Sequence, residues 1–322
     1  MKFLVTGGAG FIGSNLTDFL LMQRHEVCVV DNFETGRKKF LEQAFDYSSF
    51  SLETLDIRDA QAIENIWRKF SPDWIVHLAA NADVRFGLDR PRRDLDYNTI
   101  ATWNVLDAAR KSSCKNFLFS STGSVYGEPE VFPTPEGAPF PVQTSLYGAS
   151  KLAGEALIQA YAHGFGLQAV IFRFVSILGP RYTHGHIFDF LKKLKKDSSR
   201  LEVLGDGTQT KSYLHVTDLI EGIWNLIEGP RSGLEIINIG HEEALQVRES
   251  VDLIVRRLGL NPQIIFGLGS RGWVGDSPRI QLDTSRLRAR GWSAQRSLQS
   301  AVFDTVDYLR ENPFLLDEGG VL

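Results

Sequence analysis

The feature that most constrains this chain lies at its beginning. A strand-like run, Phe3–Thr6, leads without a break into Gly7-Gly8-Ala9-Gly10-Phe11-Ile12-Gly13. Helical periodicity follows over Ile12–Leu21, and a second β-branched run, Glu26–Asp31, ends on an acid 18 residues past Gly13. Strand, glycine turn, helix and acid-tipped strand in that order form a dinucleotide site. The glycines allow a tight turn and bring backbone N–H groups to a pyrophosphate at the helix N-terminus, where the dipole favours negative charge. Asp31 accepts hydrogen bonds from a ribose diol and repels a 2′-phosphate, so NAD is expected over NADP. Arg37, Lys38 and Lys39 lie close enough in sequence to keep NADP as the lesser alternative. Gly7, Gly10, Phe11, Ile12, Gly13 and Asp31 are the first cofactor-binding candidates.

The same alternation continues. Further strand-like runs are Ser51–Leu55, Trp74–Leu78, Asn116–Ser120 and Gln168–Phe174, and helical patterns cover Ala60–Phe70, Tyr97–Arg110 and Tyr147–Tyr161. This predicts an α/β fold, a doubly wound parallel sheet whose ligands bind beyond the carboxyl ends of the strands. The second half is less regular. Gly179-Pro180 interrupts it, Leu191–Lys196 reads as a helix with a solvated face, and Thr217–Ile227 with Glu235–Ile239 returns to the sheet. The expected division is a dinucleotide-binding domain of 1–176 plus 213–241, and a smaller α/β cap of 177–212 plus 242–322 with a cleft for small molecules.

Composition narrows the classes. A formal net charge of −4 gives no general attraction to nucleic acid or to anionic membrane, so phosphate binding is local. The lysines near 191–196 carry no interleaved aromatics, which also speaks against nucleic acid. No apolar stretch approaches the length of a membrane span, and the glycines interrupt the start before a leader could form. Two cysteines, Cys28 and Cys114, cannot build a disulfide framework, and a reducing cytoplasm is expected.

A second constellation is Tyr147-Gly148-Ala149-Ser150-Lys151. Residues four apart share one helix face, so the phenol and the ammonium project together. A free phenol titrates near 10, and a nearby lysine with a cationic nicotinamide is expected to bring it toward a useful range. The hydroxyl run Ser120-Ser121-Thr122-Gly123-Ser124 stands at the end of the fifth strand, where such a sheet places its site. His184-Gly185-His186 lacks a carboxylate or cysteine at ligand spacing, so no metal is expected. His77 reads as a core histidine.

With these residues assembled, the chain resembles an extended short-chain dehydrogenase of the NAD-dependent epimerase/dehydratase family, and within it the UDP-glucose 4-epimerases. Further landmarks are Asp31-Asn32, Asp56-Ile57, His77-Leu78-Ala79-Ala80, Asn98, Val125-Tyr126-Gly127, Arg173, Gly205-Asp206-Gly207, Tyr213–Asp218 and Arg271-Gly272-Trp273-Val274-Gly275-Asp276. The resemblance implies a Rossmann domain with a nucleotide-sugar-binding cap. It implies Thr122, Tyr147 and Lys151 as the catalytic set, with Tyr147 as acid/base and Lys151 bridging the nicotinamide ribose. Asn32, Asp56, Ile57, Ala79, Ala80 and Asn98 join the cofactor-binding residues, as do Tyr147 and Lys151 themselves. The implied reaction is NAD-dependent epimerisation at C4 of a UDP-hexose through a 4-keto sugar. The implied assembly is a homodimer through the helices of Tyr97–Arg110 and Tyr147.

The substrate residues depart from the family pattern. Ser176 replaces a common Asn, Lys211-Ser212 replaces Arg-Asp, and Arg271 is displaced from the usual spacing. With Ser124, these are the substrate candidates, and Ile280 is added as the residue beside the C2 substituent. Isoleucine where some relatives carry tyrosine leaves room for an N-acetyl group. A 4,6-dehydratase is the rival enzyme, but its family places Asp-Glu after the threonine, where this chain has Gly123-Ser124. A decarboxylase would also show an acid near 124. A non-catalytic NAD-binding sensor would have lost Tyr147 or Lys151.

Overall fold

The structure is a computed structural model that describes residues 1–83, 86–140, 142–230, 233–273 and 276–317. In chain order the first elements are β1 (Lys2–Thr6), α1 (Phe11–Met22), β2 (Glu26–Asp31), β3 (Phe50–Thr54), α2 (Ala60–Phe70) and β4 (Trp74–His77). Two short helices follow, α3 (Phe86–Asp89) and α4 (Pro91–Asp94), and a π-helical turn, Leu95–Ile100, leads into α5 (Ala101–Lys111). Then come β5 (Asn116–Ser120), α6 (Leu146–Phe165), β6 (Gln168–Phe174), β7 (Ser176–Leu178), α7 (His186–Lys196), β8 (Arg200–Val203), β9 (Thr210–Lys211) and β10 (Tyr213–His215). The chain ends with α8 (Val216–Glu228), β11 (Leu234–Ile239), β12 (Leu245–Gln246), α9 (Val247–Leu258), β13 (Gln263–Phe266), β14 (Arg279–Ile280), α10 (Ser285–Arg288), α11 (Leu298–Glu311) and α12 (Phe314–Asp317).

Seven strands form the main sheet in the order β11-β6-β5-β4-β1-β2-β3. Neighbours from β3 to β6 pair in parallel, as the alternating sequence requires. The order reverses between β1 and β4, the switch point where folds of this kind bind ligands. Burial on both faces explains the continuous apolar runs, and Phe3, Leu4, Val5, Val27, Val29 and Val30 are fully inaccessible. Helix α2 shows how local signals place a covering layer. Asp59 caps it by accepting from the Ala62 N–H at 3.0 Å, and Ser71 ends it in the left-handed region at φ 51°. Its Ile63 and Trp67 enter the core with Val105, Phe117 and Ile171. Burying each such side chain contributes roughly 1.5–3 kcal/mol.

Chain contacts divide the molecule into two units. The first holds Met1–Val125, Ser145–Arg173 and Ile223–Ile237; the second holds Tyr126–Thr144, Phe174–Gly222 and Asn238–Leu322. This differs from the sequence division, which left 126–144, 174–176, 213–222 and 238–241 with the dinucleotide-binding part. The reason for the first segment is visible in its bonds. Thr134 exchanges backbone hydrogen bonds with Gln281 and Asp283, and the Asn238 amide reaches Thr134 O at 2.9 Å. Within the second unit β10 pairs with β7, β13 with β8, and β9 lies between β12 and β14. The helix read at 191–196 begins earlier, at His186, because Ile187, Phe188 and Phe190 extend its buried face. No helix among the described residues is long and apolar enough to cross a membrane.

Candidate active site

The glycine turn has the geometry a pyrophosphate needs. Gly7 sits at φ +70°, and a Cβ there would stand 2.7 Å from the Ala79 backbone nitrogen. A Cβ on Gly13 would stand 2.2 Å from the Gly7 carbonyl oxygen, so neither position tolerates a side chain. Gly10 caps α1 without a side-chain bond, and the first turn carries no acid. The N–H groups of Phe11, Ile12 and Gly13 therefore begin a helix whose end is suited to an anion. Ala79 and Ala80, just past β4, are half-buried, and Ala79 N–H donates to Thr6 Oγ1 at 3.3 Å.

Asp31 closes the other side of this pocket wall. Its two carboxylate oxygens accept from the N–H groups of Ala9 (3.0 Å) and Phe33 (2.8 Å). Burial nevertheless raises its pKa above the ordinary carboxylate value. A carboxylate offers about four lone-pair directions, so acceptor capacity remains for a ribose diol. Asp56 is bound by Arg58 and by Asn32 Nδ2 at 3.0 Å, and the Arg58 side chain is the main reason its carboxyl falls to about 2. The sequence reading named Asp56 and Asn32 but missed Arg58, whose guanidinium lies 4.2 Å over the Tyr97 ring. Ile57 is buried in the core cluster, and Asn98 is fully buried, donating to Ser150 Oγ at 3.0 Å. A preformed turn without side chains and an acid facing it fit a dinucleotide.

Thr122, Ser124, Tyr147 and Lys151 all fall in the first unit. Thr122 lies in the middle of the hydroxyl run, two residues past β5, and Ser124 N–H donates to its Oγ1 at 3.1 Å. Tyr147 occupies the first turn of α6, capped by Ser145 Oγ accepting from Gly148 N–H at 3.0 Å. Thr122 lies near enough to the Tyr147 phenol to favour its charged form. Burial is the largest influence and pushes the phenol up to about 12, Thr122 works against that, and the charge of Asp94 adds to it. Lys151 is buried at 2% exposure and donates to Ser120 O at 2.9 Å, with its ammonium 4.7 Å over the Phe119 ring. Burial brings it down to about 7, and Glu155 one turn later opposes that fall.

Behind the lysine lies a group that the sequence reading did not assemble. Arg173 donates to Glu155 through Nε (2.9 Å) and Nη2 (2.6 Å), and Ser121 Oγ also hydrogen-bonds Glu155. Helical spacing from Lys151 to Glu155 was the available signal. His77 is the core histidine expected, held between Thr6 Oγ1 (2.7 Å) and Thr102 Oγ1 (3.0 Å), with burial bringing it down to about 3.

The other substrate candidates fall in the second unit. Lys211 and Ile280 are register partners on β9 and β14. Lys211 Nζ pairs with Asp276 Oδ1 at 2.7 Å and also bonds the Ser277 carbonyl. Arg271 is exposed, donates to the Asp276 carbonyl at 2.7 Å and pairs with Glu128 at 2.7 Å. Ser176 is exposed at the start of β7, opposite Tyr213. The structure thus gathers Lys211, Arg271 and Ile280 around the strand that Asp276 precedes. Val274 and Gly275 of that landmark lie outside the described residues. His186 bonds Ser250 Oγ at 2.8 Å, and among the described residues no three His, Cys, Asp or Glu side chains gather as metal ligands.

The NAD-dependent epimerase/dehydratase family matches residues 3–240. The chain belongs to that family, and its cofactor is NAD. It is 32% identical over 314 residues to a putative UDP-glucose 4-epimerase of Methanocaldococcus jannaschii, covering 96% of this chain and 98% of the relative. Among solved structures it is similar to a UDP-glucuronic acid 4-epimerase from Bacillus cereus in complex with UDP-glucuronic acid and NAD. That pair has a TM-score of 0.89 at 28% identity, covering 97% and 100% of the two chains. It is also similar to a dTDP-glucose 4,6-dehydratase from Streptomyces venezuelae with NAD bound, with a TM-score of 0.89 at 28% identity and 98% of each chain covered. The chain is an NAD-dependent enzyme acting on nucleotide sugars.

Proposed function

We propose that this enzyme inverts C4 of a UDP-hexose, with room for N-acetylated hexoses. The observation that carries the reading is the buried Tyr147 in the first turn of α6, its phenol influenced by Thr122, while Gly123 and Ser124 follow that threonine where the rival dehydration would call for an acid pair. Bound NAD supplies the acceptor and the returning donor of hydride at C4. Tyr147 takes the C4 hydroxyl proton as the 4-keto sugar forms and returns it to the same oxygen once the ketone has turned its other face to the cofactor. Thr122 hydrogen-bonds the phenol through the cycle and stabilises its charged form. Lys151 holds the nicotinamide ribose and contributes positive charge near the phenol. Asp31 receives the adenosine ribose diol, with Asn32, Asp56 and Ile57 beside the adenine and Asn98 at the ribose region. Lys211 and Arg271 neutralise the diphosphate, Ser124 and Ser176 contact the sugar, and Ile280 borders its C2 substituent.

The apolar surface of the first unit favours a homodimer. Ile100 and Trp103 near α5 and Leu146 and Phe165 on α6 are each more than two-fifths exposed. A monomer at every concentration in analytical ultracentrifugation contradicts that part. The test of the reaction is a panel of UDP-galactose, UDP-N-acetylgalactosamine, UDP-glucuronic acid and dTDP-glucose. Interconversion of the first two with their C4 epimers supports the reading. A 4-keto-6-deoxy product from dTDP-glucose instead overturns it.

A further inference from the structure

Asp94, the last residue of α4, has no part in the reaction as described, yet it is only 1% exposed. Its Oδ1 accepts from Asn81 Nδ2 at 2.7 Å and from Asn98 Nδ2 at 3.4 Å. Its Oδ2 is buried and has no hydrogen-bond partner among the described residues. That oxygen fills the space a side chain at 87 would need. A Cβ on Gly87 would stand 2.6 Å from Oδ2 and 3.2 Å from Cβ of Leu146, the first residue of α6. The carboxyl therefore lies against the start of the helix that carries Tyr147 and Lys151. An unbroken line of bonds leads from it into that helix. Asn98 Nδ2 donates to Ser150 Oγ at 3.0 Å, and Ser150 Oγ donates to the Tyr147 carbonyl at 2.8 Å. Asn81 and Asn98 are tied to each other as well, with Asn81 N–H donating to Asn98 Oδ1 at 2.8 Å.

An inaccessible oxygen cannot meet a substrate hydroxyl, so a direct substrate contact does not fit this geometry. We propose that Asp94 is a positioning residue for Tyr147: it anchors the Asn81–Asn98 pair that steadies the first turn of α6, and its buried negative charge opposes the phenolate. The inference rests on Tyr147 being the proton carrier. It gives the phenol a reason to stay protonated in the protein alone and to ionise only when positive charge arrives beside it. Burial raises the pKa of Asp94, Asn81 and Arg93 favour its charged form, and Asp83 opposes it. The other charged groups on the surrounding elements are engaged elsewhere or lie on the outer face. Arg93 pairs with Glu34, Arg92 with Asp96, Tyr97 hydrogen-bonds Glu34, Asp89 is exposed, and Glu155 is held by Arg173. On the Tyr147 side burial and the charge of Asp94 raise the phenol's pKa and Thr122 lowers it, with Lys151 one turn along the same helix.

The test is an ultraviolet titration of the Tyr147 phenolate in the NAD complex, taken as the difference from the matching Tyr147→Phe protein. Asp94→Asn keeps the shape and an acceptor for Asn81 but removes the charge. Its phenolate midpoint is expected to fall by about one pH unit, a roughly tenfold rise in phenolate at pH values below the midpoint. Asp94→Ser is expected to move it the same way, without an amide having to fit beside Gly87. A midpoint that stays in place or rises in these variants overturns the proposal, whatever their thermal stability. A failure of the underlying reading looks different: Tyr147→Phe would then turn over normally.

Discussion

Two buried lysines, one in each unit, show how differently the same side chain is used. Among the described residues Lys151 has no direct acidic partner; its ammonium meets a carbonyl and the face of Phe119. Lys211 is paired with Asp276 and a carbonyl. Burial lowers the pKa of both, but Asp276 offsets part of the fall at Lys211, whereas Lys151 comes down to about 7. An unpaired buried cation is a cost to the fold, retained where chemistry needs it; a paired one is part of the fold itself. The comparison predicts opposite signs for stability when each lysine is removed.

The largest effect is expected at Lys151. Its native pKa of about 7 lies below the unfolded value near 10.4, so between those values the unfolded chain holds more protons and native stability rises with pH. Below about pH 7 the native state carries the full penalty of the buried charge. Lys151→Met should therefore abolish measurable turnover while raising Tm at pH 6 by roughly 2–4 °C, the gain vanishing toward pH 10. A loss of Tm at pH 6 would break the contrast.

Lys211→Ala should do the reverse. It leaves the Asp276 carboxylate, in a residue 3% exposed, with the Gly272 N–H at 3.0 Å as its remaining hydrogen bond among the described residues, and costs about 2–3 kcal/mol of stability in denaturant unfolding. As a diphosphate contact it should also raise KM about tenfold with kcat little changed. An unchanged KM would confine Lys211 to a structural part.

The smallest effect is at Ile280, the register neighbour of Lys211. Ile280→Tyr should lower turnover of UDP-N-acetylgalactosamine relative to UDP-galactose by about tenfold, because added bulk excludes a large group better than it discriminates among those that fit. An unchanged ratio removes Ile280 from the pocket wall.

The same contrast explains what could be read from the residues. In the first unit, function follows repeating geometry: Gly7, Gly13, Asp31, Thr122 and Tyr147 each stand at the end of a parallel strand or the start of a helix, positions that spacing alone reveals. Six strands were legible to within a residue at either end, most of them because their apolar runs are nearly continuous and Phe50–Thr54 despite its alternation with Ser51 and Glu53. What stayed hidden there depends on pairings distant in sequence, such as Glu155 with Arg173 and Asp94 with Asn81. What raises the phenol's pKa stayed hidden for a related reason: burial is a tertiary property, and it is the largest influence on that group. In the second unit, β9, β12 and β14 are two residues long, too short for any periodicity to mark. The return of 126–144 to that unit rests on Asn238 and Thr134, bonds that no local pattern announces.

The central claim is that Tyr147 carries the proton in an epimerisation at C4. Its most direct test is the turnover of UDP-galactose by Tyr147→Phe, measured beside NAD affinity in the same preparation. The ring remains to fill its buried place, so NAD should bind as it does to the native protein. Turnover should fall by about a hundredfold or more. Near-native turnover with NAD bound would mean that another group moves the proton, and would contradict the account.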